Sequence, residues 1–133
     1  VSERSPEAQN WVAALRFLAE AEQLLPTAVP HAAIHSAYYA MFHAARAVLV
    51  KIDGASAPAK HKPVVNRFGF HAKQANDAAL KEAGRLLSIS LQRRLQSDYD
   101  TQREMSPQDA ETAIEEARRF LETCARVHGF PPP

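Results

Sequence analysis

The chain predicts an all-α fold, an antiparallel helical bundle of four long helices plus one short helix. Three observations carry that expectation. Apolar residues recur at helical spacing along most of the sequence, and the alternation of a half-buried strand is nearly absent. Prolines and glycines punctuate the periodic segments, with Pro6, Pro26, Gly54, Pro63 and Pro107 at expected boundaries. The chain has 133 residues, 46% of them apolar, which suits one domain with one core.

The first helix starts after Ser5, with Pro6 in its first turn where a missing N–H costs nothing. Its apolar stripe is Trp11, Ala14, Leu15, Leu18, Ala21 and Leu25, and Pro26 ends it. The second runs from about Pro30 to Ile52 and is closed by Gly54. Gly54 to Ala59 is rich in small residues and reads as a mobile connection. Pro63 opens a short helix that reaches Phe68 or a little beyond. The fourth helix begins near Asn76 or Asp77 and continues to Tyr99. The fifth has Ser106 as cap, Pro107 behind it and Asp109 three residues after the cap, followed by the stripe Ala110, Ala113, Ile114, Ala117, Phe120, Leu121 and Cys124. Residues 30–52 and 77–99 are expected to be the two central helices, antiparallel to each other. Residues 1–133 read as a single domain, with 1–5 and 128–133 as flexible ends and Pro131-Pro132-Pro133 frayed.

Net charge is +1, so no global field draws the chain to nucleic acid or membrane. The single cysteine, Cys124, excludes an internal disulfide and lies on an apolar stripe, where it reads as core. No apolar run has the length of a membrane span, and a cytoplasmic protein without a membrane partner is expected. Charge is nevertheless uneven. Gly54 to Asn76 holds no acidic residue but carries Lys60, Lys62, Arg67 and Lys73, with His61 and His71. The fifth helix is acidic, with Asp109, Glu111, Glu115, Glu116 and Glu122 against Arg118 and Arg119. Lys60, Lys62 and Arg67 are the candidate phosphate contacts on the basic edge.

Two helices carry more than an amphipathic pattern requires. On the second, Ile34, Tyr38, Met41, Ala45, Val48, Leu49 and Ile52 form a core stripe. His35, Tyr39, Phe42, His43 and Arg46 form a second stripe about a quarter-turn away, a candidate dimer or ligand face. On the fourth, Leu80, Ala83, Gly84, Leu87, Leu91, Arg94 and Asp98 share one face, so an aliphatic stripe turns ionic in its last turns. An inward charge is costly unless it is paired, so Arg94 and Asp98 are expected to be shielded and joined directly or through a tyrosine. Arg94, Asp98, Tyr99 and His43 make a candidate polar pocket. Arg93 falls off that face.

Three segments together resemble the HEPN domain. They are Ser36-Ala37-Tyr38-Tyr39-Ala40-Met41-Phe42-His43-Ala44-Ala45-Arg46, then His61-Lys62-Pro63-Val64-Val65-Asn66-Arg67-Phe68-Gly69, then Arg93-Arg94-Leu95-Gln96-Ser97-Asp98-Tyr99-Asp100. The likeness is to the stand-alone prokaryotic branch and spans residues 8 to 126. It implies the helical bundle and a family of ribonuclease toxins, nucleotidyltransferase-linked partners and other small prokaryotic proteins. The ribonucleases of that family carry an Arg, four to six intervening residues, then a His. An imidazole can move protons near neutral pH and a guanidinium can fork onto phosphate. Here no Arg is followed by a His at that spacing, and Ser97 stands at the family's His position. The resemblance therefore implies a non-catalytic, dimeric interaction module with a nucleotidyltransferase or antitoxin partner, and with nucleotide or RNA as ligand. The alternative is a ribonuclease toxin with a non-standard site that uses His43 or His61 with Arg94.

Other chemistries find less footing. His31 and His35 are four apart, a spacing a metal accepts, but no third ligand stands beside them. With four glycines in the chain, no phosphate-cradling loop is formed, and no cofactor is expected.

Overall fold

The computed structural model describes residues 5–24, 30–99 and 105–133, with 97–99 described by backbone course alone. Among the described residues five α-helices follow one another: α1 Pro6–Leu24, α2 Pro30–Asp53, α3 His61–Gln74, α4 Ala78–Tyr99 and α5 Pro107–His128. Among the described residues there is no strand.

α2 is the hub. Its buried side chains point all round the helix, from Ala33 through Tyr38, Met41 and Phe42 to Leu49. Six of them are alanines (Ala33, Ala37, Ala40, Ala44, Ala45 and Ala47), so neighbouring helices can approach on several sides. α1 runs against it: Asn10 meets His43, Phe17 meets Tyr39, and Leu24 shares a cleft with His31. α4 also runs against α2, with Ser90 at Met41 and Arg94 over Tyr38. The antiparallel relation expected of those two helices is therefore present. α5 runs alongside α2 in the same sense, from Ala113 beside Met41 to His128 at Lys51. The centre is filled by Trp11, Met41, Leu49, Val64, Phe68, Leu80, Leu87, Phe120 and Leu121, all fully buried.

Each helix boundary has a local cause. The α5 start is the expected capping box: the Asp109 N–H donates to Ser106 Oγ at 3.1 Å and the Ser106 N–H donates back to Asp109 Oδ2 at 2.9 Å. Gly129, at φ 77°, ends it in the left-handed conformation. Asp77 precedes α4 and takes the Leu80 N–H at 3.0 Å. Gly54, at φ 61°, starts a 3-10 turn over Gly54–Ser56, which occupies much of the connection read as mobile. Cys124 is fully buried, and burial pushes its thiol well above the ordinary range.

Three sequence expectations need correction. α3 is longer than a turn or two around Pro63, reaching Gln74. Gly69 does not stop it, because Val64, Val65, Phe68 and Ala72 bury on one face and outweigh the glycine's propensity cost of about 1 kcal/mol. Ile52, placed on the core stripe, is 40% exposed at the end of α2. The C-terminal tail is held rather than frayed. Phe130 stacks on Trp11 with ring centroids 4.7 Å apart, and the indole N–H donates to the Pro131 carbonyl at 2.8 Å. Leu25, Pro26 and Asp100 lie outside the described residues.

Candidate functional site

The two unusual stripes meet where the last turns of α4 cross the first half of α2. Arg94 places its guanidinium carbon 5.4 Å from the Tyr38 ring centroid and 5.3 Å from that of Tyr39. Two consecutive residues on a helix diverge by about 100°, so one cation can bridge both rings only from between them. Leu87 and Leu91 anchor the α4 stripe in the core, which holds the following Arg94 half-buried above α2.

His61, the first residue of α3, completes the cluster. Its Nδ1 lies 2.8 Å from the Tyr38 hydroxyl, and its ring stacks on Phe42 at 4.2 Å. When the phenol donates, Nδ1 accepts and the ring proton sits on Nε2. Burial pushes the Tyr38 hydroxyl up to about 12, against the opposing pull of the Arg94 charge, so the phenol stays protonated and able to donate. Burial also holds the His61 imidazole below its usual range, reinforced by Arg94 and His35. Near neutral pH, burial thus keeps the Tyr38 phenol and the His61 imidazole uncharged beside the Arg94 guanidinium.

A cleft of about 570 Å³ opens beside Arg94, lined also by Glu20, Leu24, His31, His35 and Ser36. The guanidinium can fork onto two oxygens of a phosphate or a carboxylate there, with two imidazoles beside it and the Tyr39 ring near the same cation.

The candidate residues distribute unevenly over this geometry. Arg94 is central and half-buried, as its stripe required. The side chains of Asp98 and Tyr99 lie outside the described residues, so the expected Arg94–Asp98 link falls there too. His43 does not join Arg94. Its ring stacks on Phe17 at 5.3 Å and its Nδ1 is 3.5 Å from Asn10 Oδ1, both on α1. Burial first, then Arg46 and Arg16, hold it below the ordinary histidine range.

The second α2 stripe is largely covered by the chain itself. Phe42 is 5% exposed beneath His61, and Tyr39 packs on Phe17 at 5.5 Å. Arg46 is half-buried, with an Nε that has no hydrogen-bond partner among the described residues. His35 alone in this stripe is exposed. The free aromatic area that pointed to an interface here is taken by α1 and α3.

On the basic edge Lys60 and Lys62 are exposed, but Arg67 is engaged. Its Nε and terminal nitrogen both donate to Asp53 at 2.8 Å, a bidentate pair that holds the Asp53 carboxyl below its usual range. Asp53 lies one residue outside the acid-free stretch, which is why the stretch alone suggested a free guanidinium. Arg93 is also paired: it donates to Glu116 Oε2 at 3.2 Å, and Glu116 is among the few buried polar residues.

Sequence reasoning offered His61 beside Arg94 only as part of the alternative site and missed Tyr38, which joins the two. Tyr38 was placed on the core stripe, and it is indeed buried, but its hydroxyl reaches the α3 start. The signal was a polar-tipped aromatic where Leu would have sufficed. Among the described residues no set of three or more His, Cys, Asp and Glu could hold a metal, and no helix is long and apolar enough to cross a membrane.

Comparison with known proteins agrees with this architecture. The HEPN domain model matches residues 8–127. The Methanocaldococcus jannaschii protein named "Putative toxin MJ0605" is 32% identical over 96 residues, 71% of this chain and 68% of that protein. With the match running from the first turn of α1 to the last of α5 over an all-helical bundle, the chain belongs to the HEPN domain family.

Proposed function

We propose that this chain is a toxin-associated HEPN module that binds a phosphate-bearing ligand, nucleotide or RNA, in the Arg94 cleft without cutting it. The observation that carries the reading is Arg94, fixed over Tyr38 and Tyr39 at the edge of an open cleft. A guanidinium held by two rings is pre-oriented, so less freedom is lost when it engages phosphate. The missing Arg-to-His spacing, and Ser97 where an imidazole would be needed, support binding over cleavage. A dimer and a nucleotidyltransferase or antitoxin partner belong to the same reading, through the family and the toxin relative.

The test is a titration of fluorescently labelled RNA, and of AMP by calorimetry, against wild type, Arg94→Ala and Arg94→Lys. Loss of a charge-assisted fork should weaken binding at least about tenfold in Arg94→Ala, with partial recovery in Arg94→Lys. Equal binding by all three proteins would contradict the reading. Sedimentation at tens of micromolar tests the dimer.

One observation favours a second reading, a ribonuclease with a non-standard site. His61 is tied to Tyr38, and Tyr38 lies under Arg94, so an imidazole and a guanidinium share one cluster despite the missing motif. RNA cleavage abolished by His61→Ala would favour it.

A further inference from the structure

The groove between α3 and α4 lies outside the Arg94 cluster and is open. Its volume is about 630 Å³, and it is lined by Asn66, Gly69, Phe70, Lys73, Lys81 and Ser88 among others. Its geometry follows from glycine. A side-chain carbon added at Gly84 would sit 2.9 Å from Ala72 Cβ and 3.6 Å from Gly69 Cα, so the two helices cross closely here. A carbon added at Gly69 would meet nothing within 4 Å, so the floor beside the crossing stays unfilled.

Phe70 stands at the side of this groove and is 60% exposed, the most exposed large apolar residue described. The Arg67 guanidinium lies 5.8 Å from its ring centroid and is itself pinned by Asp53. The ring is thus oriented by a fixed cation while much of it faces solvent. Lys73 and Lys81 are exposed, and neither has an ion pair among the described residues. Arg85, by contrast, is bound to Glu82, which takes that pair out of the charge balance. What remains is one available ring, two available ammonium groups and the polar side chains of Asn66 and Ser88.

We propose that this groove is a docking site for single-stranded nucleic acid, with a base stacked on Phe70 and phosphates at Lys73 and Lys81. The chemistry fits that occupant better than a protein helix. A flat ring flanked by point cations matches the alternation of base and phosphate, and stacking needs no particular base. The site does not depend on the Arg94 cleft, and it assigns a role to an exposed phenylalanine that the fold does not need.

The test is fluorescence anisotropy with a labelled oligouridylate of about ten nucleotides, a length within the reach of a groove of this kind. Five proteins are compared across a range of salt: wild type, Phe70→Ala, Lys73→Ala/Lys81→Ala, Arg94→Ala, and Phe70→Ala/Arg94→Ala. Phe70→Ala should weaken binding about 5- to 150-fold. The double lysine variant should lower the slope of log affinity against log salt by about 1.4, or about 0.7 per phosphate released. Arg94→Ala should lose only the share of binding that belongs to the cleft, and adding Phe70→Ala to it should weaken the remaining salt-sensitive binding by the same factor as in wild type. Loss in Arg94→Ala with no loss in the groove variants would place all binding at the cleft and overturn the groove proposal. Loss in the groove variants alone would support the groove while counting against the Arg94 reading. No salt-sensitive binding by wild type, or a homodimer that Phe70→Ala dissociates, would overturn the proposal. Circular dichroism of each variant establishes that it is folded.

Discussion

Substitution of Gly84 by Ala should destabilise the protein, although helix propensity alone says the opposite. Gly84 lies inside α4, where Ala is favoured over Gly by about 1 kcal/mol. The new methyl carbon, however, would sit 2.9 Å from Ala72 Cβ. That atom is fixed directly to the α3 backbone and cannot rotate away, so the helices must separate. Overpacking of this kind costs about 1–3 kcal/mol. The net expectation is a loss of about 0–2 kcal/mol, the difference of those two terms. The diagnostic comes from a second background. In Ala72→Gly the obstructing methyl is gone, and the next contact, Gly69 Cα at 3.6 Å, is ordinary van der Waals distance. There Gly84→Ala should turn neutral or stabilising, by up to about 1 kcal/mol. Urea unfolding followed by circular dichroism on the four proteins gives the coupling directly. A stabilising Gly84→Ala in the wild-type background, or strict additivity of the two changes, would refute the close helix crossing.

Other expectations follow from named contacts. Ser106→Ala removes the oxygen that takes the Asp109 N–H and should cost about 0.5–2 kcal/mol in the same unfolding assay. His43, His61, His71 and His128 all have folded values below the ordinary 6.5, with His128 pushed down to about 4 by burial and by neighbouring His71 and Lys51. The unfolded chain binds more protons in that window, so stability present above pH 6.5 should be lost toward pH 4, and His128→Gln should flatten the loss. Tyr38 has the opposite sign. Its folded value near 12 exceeds the ordinary 10.0, so the folded state keeps a proton longer and stability should fall between those values, an effect absent in Tyr38→Phe. Trp11→Phe removes the donor to the Pro131 carbonyl and should speed proteolytic trimming of the tail, read by mass spectrometry.

The helices were legible because their signals are local. Periodicity, the Ser106–Asp109 box and the Gly54 stop all act within a few residues, and each stands where the sequence put it. The polar turn of α4 was legible for the same reason, since an arginine in register with Leu87 and Leu91 must be satisfied somewhere. Which tyrosines it lies over was hidden, since Tyr38 is 56 residues from Arg94, and His61, named only in the alternative site, enters from a third helix whose start follows a turn of small residues. The Arg67–Asp53 pair was hidden more narrowly, by one residue beyond the acid-free stretch. The tail was misread because composition alone, three prolines, favoured fraying, whereas Trp11 supplies a partner 120 residues away. The second α2 stripe was correctly singled out as rich in rings, but a helical wheel cannot say whether such rings face another molecule or the chain's own α1 and α3.

The central claim is that Arg94 presents a binding site rather than a cutting one, and incubation of the purified protein with structured RNA and tRNA tests it most directly. Wild type and Arg94→Ala are compared for retention and for cleavage in a metal-free buffer, with an assay sensitive enough to register a rate reduced about 10²–10⁴-fold by a missing acid–base group. Retention by wild type, its loss in Arg94→Ala, and intact RNA in both are expected. Cleavage by wild type at a toxin-like rate, abolished by Arg94→Ala or His61→Ala, would contradict the claim and make the Tyr38–His61–Arg94 cluster an active site.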